Sequence, residues 1–504
     1  MSTIASEFQF KNRLLRGGSI VLLLSFFSSP LGYLLRMLFS RSLSIEMYGL
    51  FYAVLAFVGL ITTYNDLGFG YALTYLLPQY VRERKFKEAK QLYNYEQLIE
   101  VVTAIIFSFG LFFLSPWLAL NYFKVPQATS LIIIFCLYIV ANSYFSAIHK
   151  FFTGLRQEFF YTSMQPLVML LTLIFSFIST IWYHSSVQLF AFFWGISYLI
   201  VALFYSGINY IHNNSIMKHS FFWDRNIFSQ MGKFALPTII TTSLFTFITS
   251  VDTIYLTLFH SVKSVGIYNI IIPISLIPTI LLSPLNSFLF PHIAYLRNKE
   301  ENKITQILNK TTQYFPLLAL YFGLFVFIFP EAIIGMIFGN QWIKLATRPL
   351  MIYGLGFPIV ALSNHINEII SGLGEAKARL KITAIISFLY LTIGGLMIWK
   401  FSVMGAVVTS IFLSTISIFL YLQLIKKHLT FRISTIFIIK IFFLTSLSLI
   451  FNLFVKYSPS SLSQFVLTGI GYSIIFYILI HLLRLFQVDL PFIKMLQHTL
   501  YVKK

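Results

Sequence analysis

The sequence predicts an all-α polytopic membrane protein with about 14 transmembrane helices: two parallel six-helix repeats followed by two C-terminal helices. Composition is the first reason, because 58% of the 504 residues are hydrophobic, only 10% are charged, and the mean hydropathy is +0.81. An internal duplication is the second reason. Together they exclude an ordinary soluble domain.

Apolar runs of roughly 20 residues, the length that crosses a bilayer, mark the helices. We expect them to start near Ser19, Tyr48, Gln97, Thr129, Phe159, Val187, Phe234, Gly266, Thr312, Pro349, Ile382, Met404, Ser434 and Ser463. The first run follows a basic stretch but is too long for a signal peptide and lacks a small-residue cleavage site. We therefore interpret it as an uncleaved first helix.

The duplication is visible in glycine and proline landmarks that recur in the same order at a spacing of about 217 residues. The pairs are Gly49 with Gly266, Pro78 with Pro291, Pro116 with Pro330, and Gly154 with Gly372. The predicted parts are a first lobe at 1–211, a cytosolic linker at 212–232, a second lobe at 233–425, and two further helices with a cytosolic tail at 426–504. Two parallel lobes with a cavity between them are the plan of a transporter.

The net charge of +20 is explained by the orientation of the chain in the membrane. In the predicted arrangement about 27 of the Lys and Arg residues lie in cytosolic segments and about 8 lie outside, which places both termini in the cytosol. This bias predicts a multi-pass protein of the cytoplasmic (inner) membrane, in contact with membrane lipids and not with nucleic acid. The single Cys136 excludes a disulfide framework or a thiolate metal site.

Enzyme signatures are missing from the sequence. It has no phosphate-binding G-x-x-x-x-G-K-[ST] loop, no H-E-x-x-H and no D-x-D pattern. The predicted outer loops are short, which disfavours a membrane glycosyltransferase or polymerase. We therefore expect no enzymatic activity, no metal and no cofactor.

Ionisable residues at membrane depth are the functional candidates, because burying a charge is costly. Arg36 and Asp252 lie near the outer ends of the first and seventh helices and are related by the duplication, so they could pair across the central cavity. Alternatively, Arg36 reaches outer head groups and Asp252 bonds a local threonine. Asp66, at the cytosolic end of the second helix, either belongs to the site or bonds nearby backbone.

Cationic clusters are expected at the cytosolic ends of the fourth and tenth helices. Two such clusters facing each other would suit a pyrophosphate, which needs several charge-assisted hydrogen bonds; alternatively, these charges only fix topology. The candidate substrate-binding residues are Arg36, Asp66, Lys150, Arg156, Asp252, Glu368 and Lys381.

At this point a family resemblance is visible. The stretch FSRSLSIEMYGLFYAVLAFVGLITTYNDLGFGYAL resembles the start of polysaccharide biosynthesis flippases, which read roughly R-x-L-x-x-x-x-Y-G followed by D-L-G. The patterns FALPTIITTSLFTFITSVDTIYL…VGIYN and PEAIIGMIFGNQW are similar to later parts of the same family. The resemblance covers essentially the whole chain and points to the multidrug/oligosaccharidyl-lipid/polysaccharide exporter superfamily.

This resemblance implies translocation of a polyprenyl-pyrophosphate-linked oligosaccharide to the outer leaflet by alternating access, with a glycan polymerase and glycosyltransferases as pathway partners. It also implies a cationic cavity. Only Arg36 is a clear intramembrane arginine, so the chain looks more like O-antigen or exopolysaccharide exporters than like the lipid II flippase branch. The alternative is a multidrug and toxin extrusion antiporter, which favours acidic cavities, and we expect few buried carboxylates here.

Overall fold

A computed structural model of the chain describes residues 24, 28–182, 185–296, 301–426, 439–447 and 461–483. All regular structure in these ranges is helical, which confirms the predicted fold class. The helices are α1 (28–42), α2 (Ile45–Thr62), α3 (Phe69–Arg82), α4 (Phe86–Asn121), α5 (Ala128–Gly154), α6 (Glu158–Trp182), α7 (Val187–His212), α8 (Asn214–Met217), α9 (Arg225–Phe259), α10 (Val262–Leu296), α11 (Glu301–Ile328), α12 (Pro330–Phe338), α13 (Ile343–Gly372), α14 (Ala376–Leu389), α15 (Gly395–Ile425), α16 (439–447) and α17 (Leu462–Leu482).

Ten helical segments in the described ranges are long and apolar enough to cross a membrane, so this is a multi-pass membrane protein. One of them, Lys377–Ile425, is broken at Ser402, where φ is 53°. The predicted helix starts at Ser19 and Ser434 lie outside the described residues. The total of 14 spans therefore stays a prediction.

The chain forms two compact units, one of Met1–Ile270 with Leu391–Ala406 and the other of Ile271–Tyr390 with Val407–Lys504. The first unit includes α9 and the first turns of α10, which the duplication assigns to the second lobe. The reason is packing, because α9 lies against α2 and α3. The predicted lobe boundaries, which are based on the duplication, stay a prediction.

In the first unit, α3, α4, α5 and α9 share a core of buried apolar side chains. Its fully or almost fully buried members include Leu73, Leu76, Leu77, Leu92, Tyr95, Phe151 and Met231. Further along α4, towards its C-terminal end, large side chains such as Phe109, Phe113 and Trp117 are exposed. Such a surface would be unfavourable in water, and it matches a lipid environment.

The helices α2 and α10 approach closely at Gly49. A Cβ atom at Gly49 would overlap the carbonyl oxygen of Val262 and lie 2.9 Å from the backbone nitrogen of Gly266. Gly49 and Gly266 are the pair of glycines related by the duplication. Small residues allow this kind of close approach between membrane helices.

The predicted linker is bound to the first turns of α4. The Gln91 side chain donates to the carbonyl oxygen of Ser220 at 2.9 Å and accepts from the Phe222 amide at 3.2 Å. The Asp224 amide donates to the Tyr95 hydroxyl at 2.5 Å. Because α9 begins directly after Asp224, the end of the predicted linker is the start of this helix.

In the second unit, α11 packs along α13 and against α17. The Tyr472 hydroxyl donates to the carbonyl oxygen of Tyr321 at 2.6 Å, and the hydroxyls of Tyr321 and Ser473 are 2.7 Å apart. His365 is fully buried, with Nε2 2.8 Å from the Thr311 hydroxyl. It is therefore a core residue of the helix pair, and it does not contribute an exposed positive charge.

The charge bias makes a direct prediction about topology. A reporter fused after Arg84 should lie in the cytosol and one fused near Lys124 outside, because basic residues stay on the cytosolic side. The repeat-related fusions, after Arg297 (outside the described residues) and near Lys344, should give the same two results. Alkaline phosphatase and green fluorescent protein fusions measure this, and opposite results at related positions would contradict the parallel duplication.

Candidate functional site

The D-L-G motif forms the turn between α2 and α3. Asp66 Oδ1 accepts a hydrogen bond from the Gly68 amide at 2.8 Å, which is the bond to nearby backbone that the sequence analysis gave as one alternative. Leu67 and Gly68 have φ of 46° and 82°. A Cβ atom at Gly68 would overlap the carbonyl oxygen of Ala235 on α9, so this position requires glycine. The turn leaves the second oxygen of Asp66 available to α5.

Three carboxylates surround Lys150 of α5. Its Nζ lies 2.9 Å from Asp66 Oδ2, 3.2 Å from Glu96 Oε1 and 3.0 Å from Glu100 Oε2. Glu96 is fully buried and Glu100 almost so, whereas the Lys150 and Asp66 side chains are 21% and 22% exposed. We call these four residues the Lys150 cluster.

One face of α4 supplies half of this cluster. Glu96 and Glu100 are one helical turn apart and therefore point the same way. Further along the helix, the Thr103 hydroxyl donates to the carbonyl oxygen of Asn65, whose side-chain nitrogen donates to the Ser143 hydroxyl at 2.7 Å. Two oxygens beside this network, Glu96 Oε2 and Asn65 Oδ1, are among the buried side-chain oxygens of the described residues that lack a hydrogen-bond partner.

The Lys150 cluster is acidic overall. One ammonium and three carboxylates leave two negative charges when all four groups are ionised, and burying uncompensated charge is unfavourable. Glu96 and Glu100 are thus two buried carboxylates, in addition to Asp252, that the sequence did not single out. Lys150 also differs from its predicted surroundings, because its charge is already compensated and is not presented to an anionic substrate.

A second site surrounds Arg36 in α1. A cavity of about 250 Å³ is lined by several residues, among them Arg36, Tyr52, Trp194 and Asn269. The guanidinium carbon lies 4.7 Å from the centroid of the Tyr52 ring, and Nη1 lies 3.4 Å from Asn269 O and 3.5 Å from Asn269 Oδ1. Among the described residues, no carboxylate lies within 4.0 Å of this guanidinium. The positive charge of the guanidinium therefore has no negative partner among the described residues, and its contacts are neutral groups.

Asp252 of α9 is buried and accepts a hydrogen bond from the Tyr268 hydroxyl. Arg36 contacts Asn269, the next residue along α10. The predicted ion pair between Arg36 and Asp252 is thus not formed in this conformation, because each side chain has other partners. A role for the pair in another step of a transport cycle stays a prediction.

Arg156 lies apart from the Lys150 cluster. Its side chain is exposed, and it lines a cavity of about 490 Å³ that also includes Gln79, Arg82 and Thr153. Lys150 and Arg156 therefore do not form one cationic cluster. Lys150 is neutralised by carboxylates, and Arg156 is exposed.

In the second unit, Glu368 is half-buried and Lys381 is exposed. Glu368 lies one turn before Gly372, which ends α13, just as Lys150 lies one turn before Gly154, which ends α5. The duplicated position thus carries opposite charges in the two copies. No contact in the described residues joins Glu368 to Lys381 in an ion pair.

Sequence reasoning missed Glu96 and Glu100. The third helix was predicted to start at Gln97, so Glu96 counted as part of the preceding loop, whereas α4 begins at Phe86. A usable signal was present: two glutamates spaced by one helical turn at the edge of an apolar run.

Comparison with known proteins places these sites in a family context. The sequence profile of the family described as polysaccharide biosynthesis protein matches residues 14–297, more than half of the chain. An uncharacterised membrane protein of Methanocaldococcus jannaschii is 24% identical over 421 residues, which are 80% of this chain and 82% of that protein.

Two solved structures are similar in fold. The lipid II flippase MurJ, in an inward closed conformation, has a TM-score of 0.71 at 17% identity, covering 91% of this chain and 97% of that chain. A multidrug resistance MATE family transporter of the MOP superfamily, in an inward-facing conformation, has a TM-score of 0.60 at 15% identity, covering 79% and 95%. At these identities the likeness shows a common fold, and the sites must carry the argument about function.

Proposed function

The chain belongs to the polysaccharide biosynthesis protein family, and from this premise we propose that it is a flippase for a polyprenyl-pyrophosphate-linked oligosaccharide. It moves this lipid from the cytosolic to the outer leaflet of the cytoplasmic membrane by alternating access. The glycan would serve a cell-surface polysaccharide such as O-antigen or exopolysaccharide, made by glycosyltransferases and a polymerase of the same pathway. Translocation of this kind requires no covalent chemistry from the chain.

The surroundings of Arg36 carry the proposal. A guanidinium presents its donors in a planar fork that matches phosphate oxygens, and charge-assisted hydrogen bonds of this kind are strong in a site shielded from water. Here the guanidinium borders a cavity, and its contacts among the described residues are neutral: the Tyr52 ring, Asn269 and the Tyr48 hydroxyl. An anionic head group entering this cavity would supply the missing negative charge.

The first test is a transport measurement with Arg36 variants. Purified protein in liposomes should translocate a fluorescent polyprenyl-pyrophosphate oligosaccharide. Arg36→Gln should lower the rate about 10- to 100-fold, since hydrogen bonds to charged groups contribute about 1.5–3 kcal/mol. Arg36→Lys should retain part of the activity because it keeps the charge.

Arg41→Gln is the matched control for this test, because it removes an exposed arginine at the end of α1. It should translocate the lipid like the wild type. An Arg36→Gln protein that folds normally and transports at the wild-type rate would exclude Arg36 as the head-group ligand.

A cation-exporting antiporter is the second candidate, and the Lys150 cluster is the observation that favours it. Multidrug transporters for cationic drugs suit an acidic site, and this cluster is acidic and partly exposed. The two candidates differ in cargo. Export of cationic dyes by the wild type, lost in Glu100→Gln and unaffected by Arg36→Gln, would support the antiporter and contradict the flippase.

A further inference from the structure

We propose that the Lys150 cluster binds one exchangeable proton on its Glu96–Glu100 side, and that movement of this proton is coupled to transport. The inference rests on the proposed transport function for its second half only. Proton binding itself follows from the geometry of the cluster.

The Lys150 cluster has more negative than positive charge. Two carboxylates from one face of α4 and a third from the α2–α3 turn bind the same ammonium nitrogen. A buried carboxylate that is not neutralised by a partner avoids the cost of its charge by taking up a proton. A single proton reduces the excess of the cluster from two negative charges to one.

One carboxylate oxygen of the cluster is buried without a partner among the described residues. Glu96 uses only Oε1 to contact Lys150, and its Oε2 is buried with no hydrogen-bond partner in the described ranges. A buried acceptor without a donor is costly. Protonation removes the charge of Glu96 and makes it a donor to the neighbouring Glu100 carboxylate, so Glu96 is the member best suited to carry the proton.

The Lys150 cluster is partly exposed on one side, where protons can reach it. Asp66 and Lys150 are partly exposed, whereas Glu96 and Glu100 are not. A proton can therefore enter or leave through Asp66, and on release it passes to the water on that side. Lys150 of α5 and Asp66 of the turn are the charged groups beside the two glutamates, and Tyr93 of α4 interacts electrostatically with both. Tyr144 and His149 of α5 interact with Tyr93 and Lys150, respectively, and Lys233 of α9 is exposed.

Helix α4 connects the Lys150 cluster to the linker and to the start of α9, so a change at the cluster can move these segments. Tyr95, adjacent to Glu96, binds the Asp224 amide directly before α9, and Gln91 binds the linker one turn earlier. Gain or loss of a proton changes the attraction between α4 and Lys150. Because α4 also holds the linker, a shift of this helix moves the start of α9 with it.

Infrared difference spectroscopy on the full-length protein in lipid bilayers tests proton binding without any substrate. When the pH is stepped, the wild type should show a band from the C=O stretch of a protonated, buried carboxyl group. The band should be lost or shifted in Glu96→Gln, while Glu46→Gln, which removes an exposed carboxylate of α2, should leave it unchanged. No such band in the wild type, or an unaltered band in both Glu96→Gln and Glu100→Gln, would overturn the proposal.

Transport in liposomes tests the coupling. A tenfold proton gradient should change the wild-type rate of lipid translocation several-fold. In Glu96→Gln and Glu100→Gln the rate should respond no more than about 1.5-fold, because the exchangeable proton is absent. An unchanged gradient response in both variants would overturn the coupling.

The two readouts separate failure of this inference from failure of the proposed function. Translocation without a gradient response and without a carboxyl band leaves the flippase standing and removes the proton site. A clear carboxyl band in a protein that moves no lipid-linked glycan leaves the proton site standing and removes the flippase.

Discussion

Lys150→Met should prevent most of the protein from accumulating in a folded state. The substitution leaves three carboxylates without their common cation, two of them buried. Removing one partner of a buried ion pair costs about 3–5 kcal/mol, a large share of the ~5–15 kcal/mol that stabilises a typical protein. Fluorescence-detected size-exclusion chromatography and the melting temperature in detergent measure the effect.

A combined variant provides the internal check on this prediction. Lys150→Met together with Glu96→Gln and Glu100→Gln removes the excess charge, so most of the folded protein should return. Arg156→Gln, an exposed cation beyond the end of the same helix, should leave the folded yield unchanged. Normal accumulation of Lys150→Met alone would mean that the carboxylates are neutral without lysine. The expected loss of folded protein also means that Lys150 variants cannot report on substrate binding, whereas Arg156→Gln can.

Gly49→Ala should destabilise the first unit by about 1–3 kcal/mol, the usual cost of overpacking a close contact. The added methyl group would overlap the Val262 carbonyl oxygen and lie 2.9 Å from the Gly266 nitrogen, and backbone atoms cannot rotate away. Helices α2 and α10 would have to separate. A lower melting temperature and reduced translocation are the expected readouts.

Gly59→Ala is the matched control, because it makes the same change in the same helix where no atom lies within 4 Å of the new Cβ. Alanine is about 0.5–1 kcal/mol better than glycine inside a helix, so Gly59→Ala should be neutral or slightly stabilising. Equal effects of the two substitutions would show that the close approach at Gly49 does not matter.

The fold class could be predicted from the sequence because hydropathy and helix length are local properties. Glu96 was missed for a related reason, because it precedes the predicted helix start at Gln97, whereas Glu100 lies inside the predicted helix and was overlooked. The first turns of α4, from Phe86, are polar, and a polar helical extension gives no hydropathy signal. Arg36 was found because a charge inside an apolar run is conspicuous in one dimension.

The partners of Lys150 could not be predicted in the same way. They come from two places that are distant along the chain from Lys150 at the end of α5: the turn at Asp66 and the α4 face at Glu96 and Glu100. Only tertiary packing decides whether a charge near a helix end faces solvent or other charges. For the same reason, the division of Lys150 from Arg156 was invisible in the sequence.

The meeting of Gly49 with Gly266 has a consequence for how this chain arose. A residue that touches its own duplicate lies near the axis that relates the two copies, as in the self-complementary interface of a two-fold dimer. The duplication thus predicts a single-copy ancestor that dimerised through this glycine. In such an ancestor one mutation would alter both sides of the crossing at once, whereas in the present chain each side can change alone.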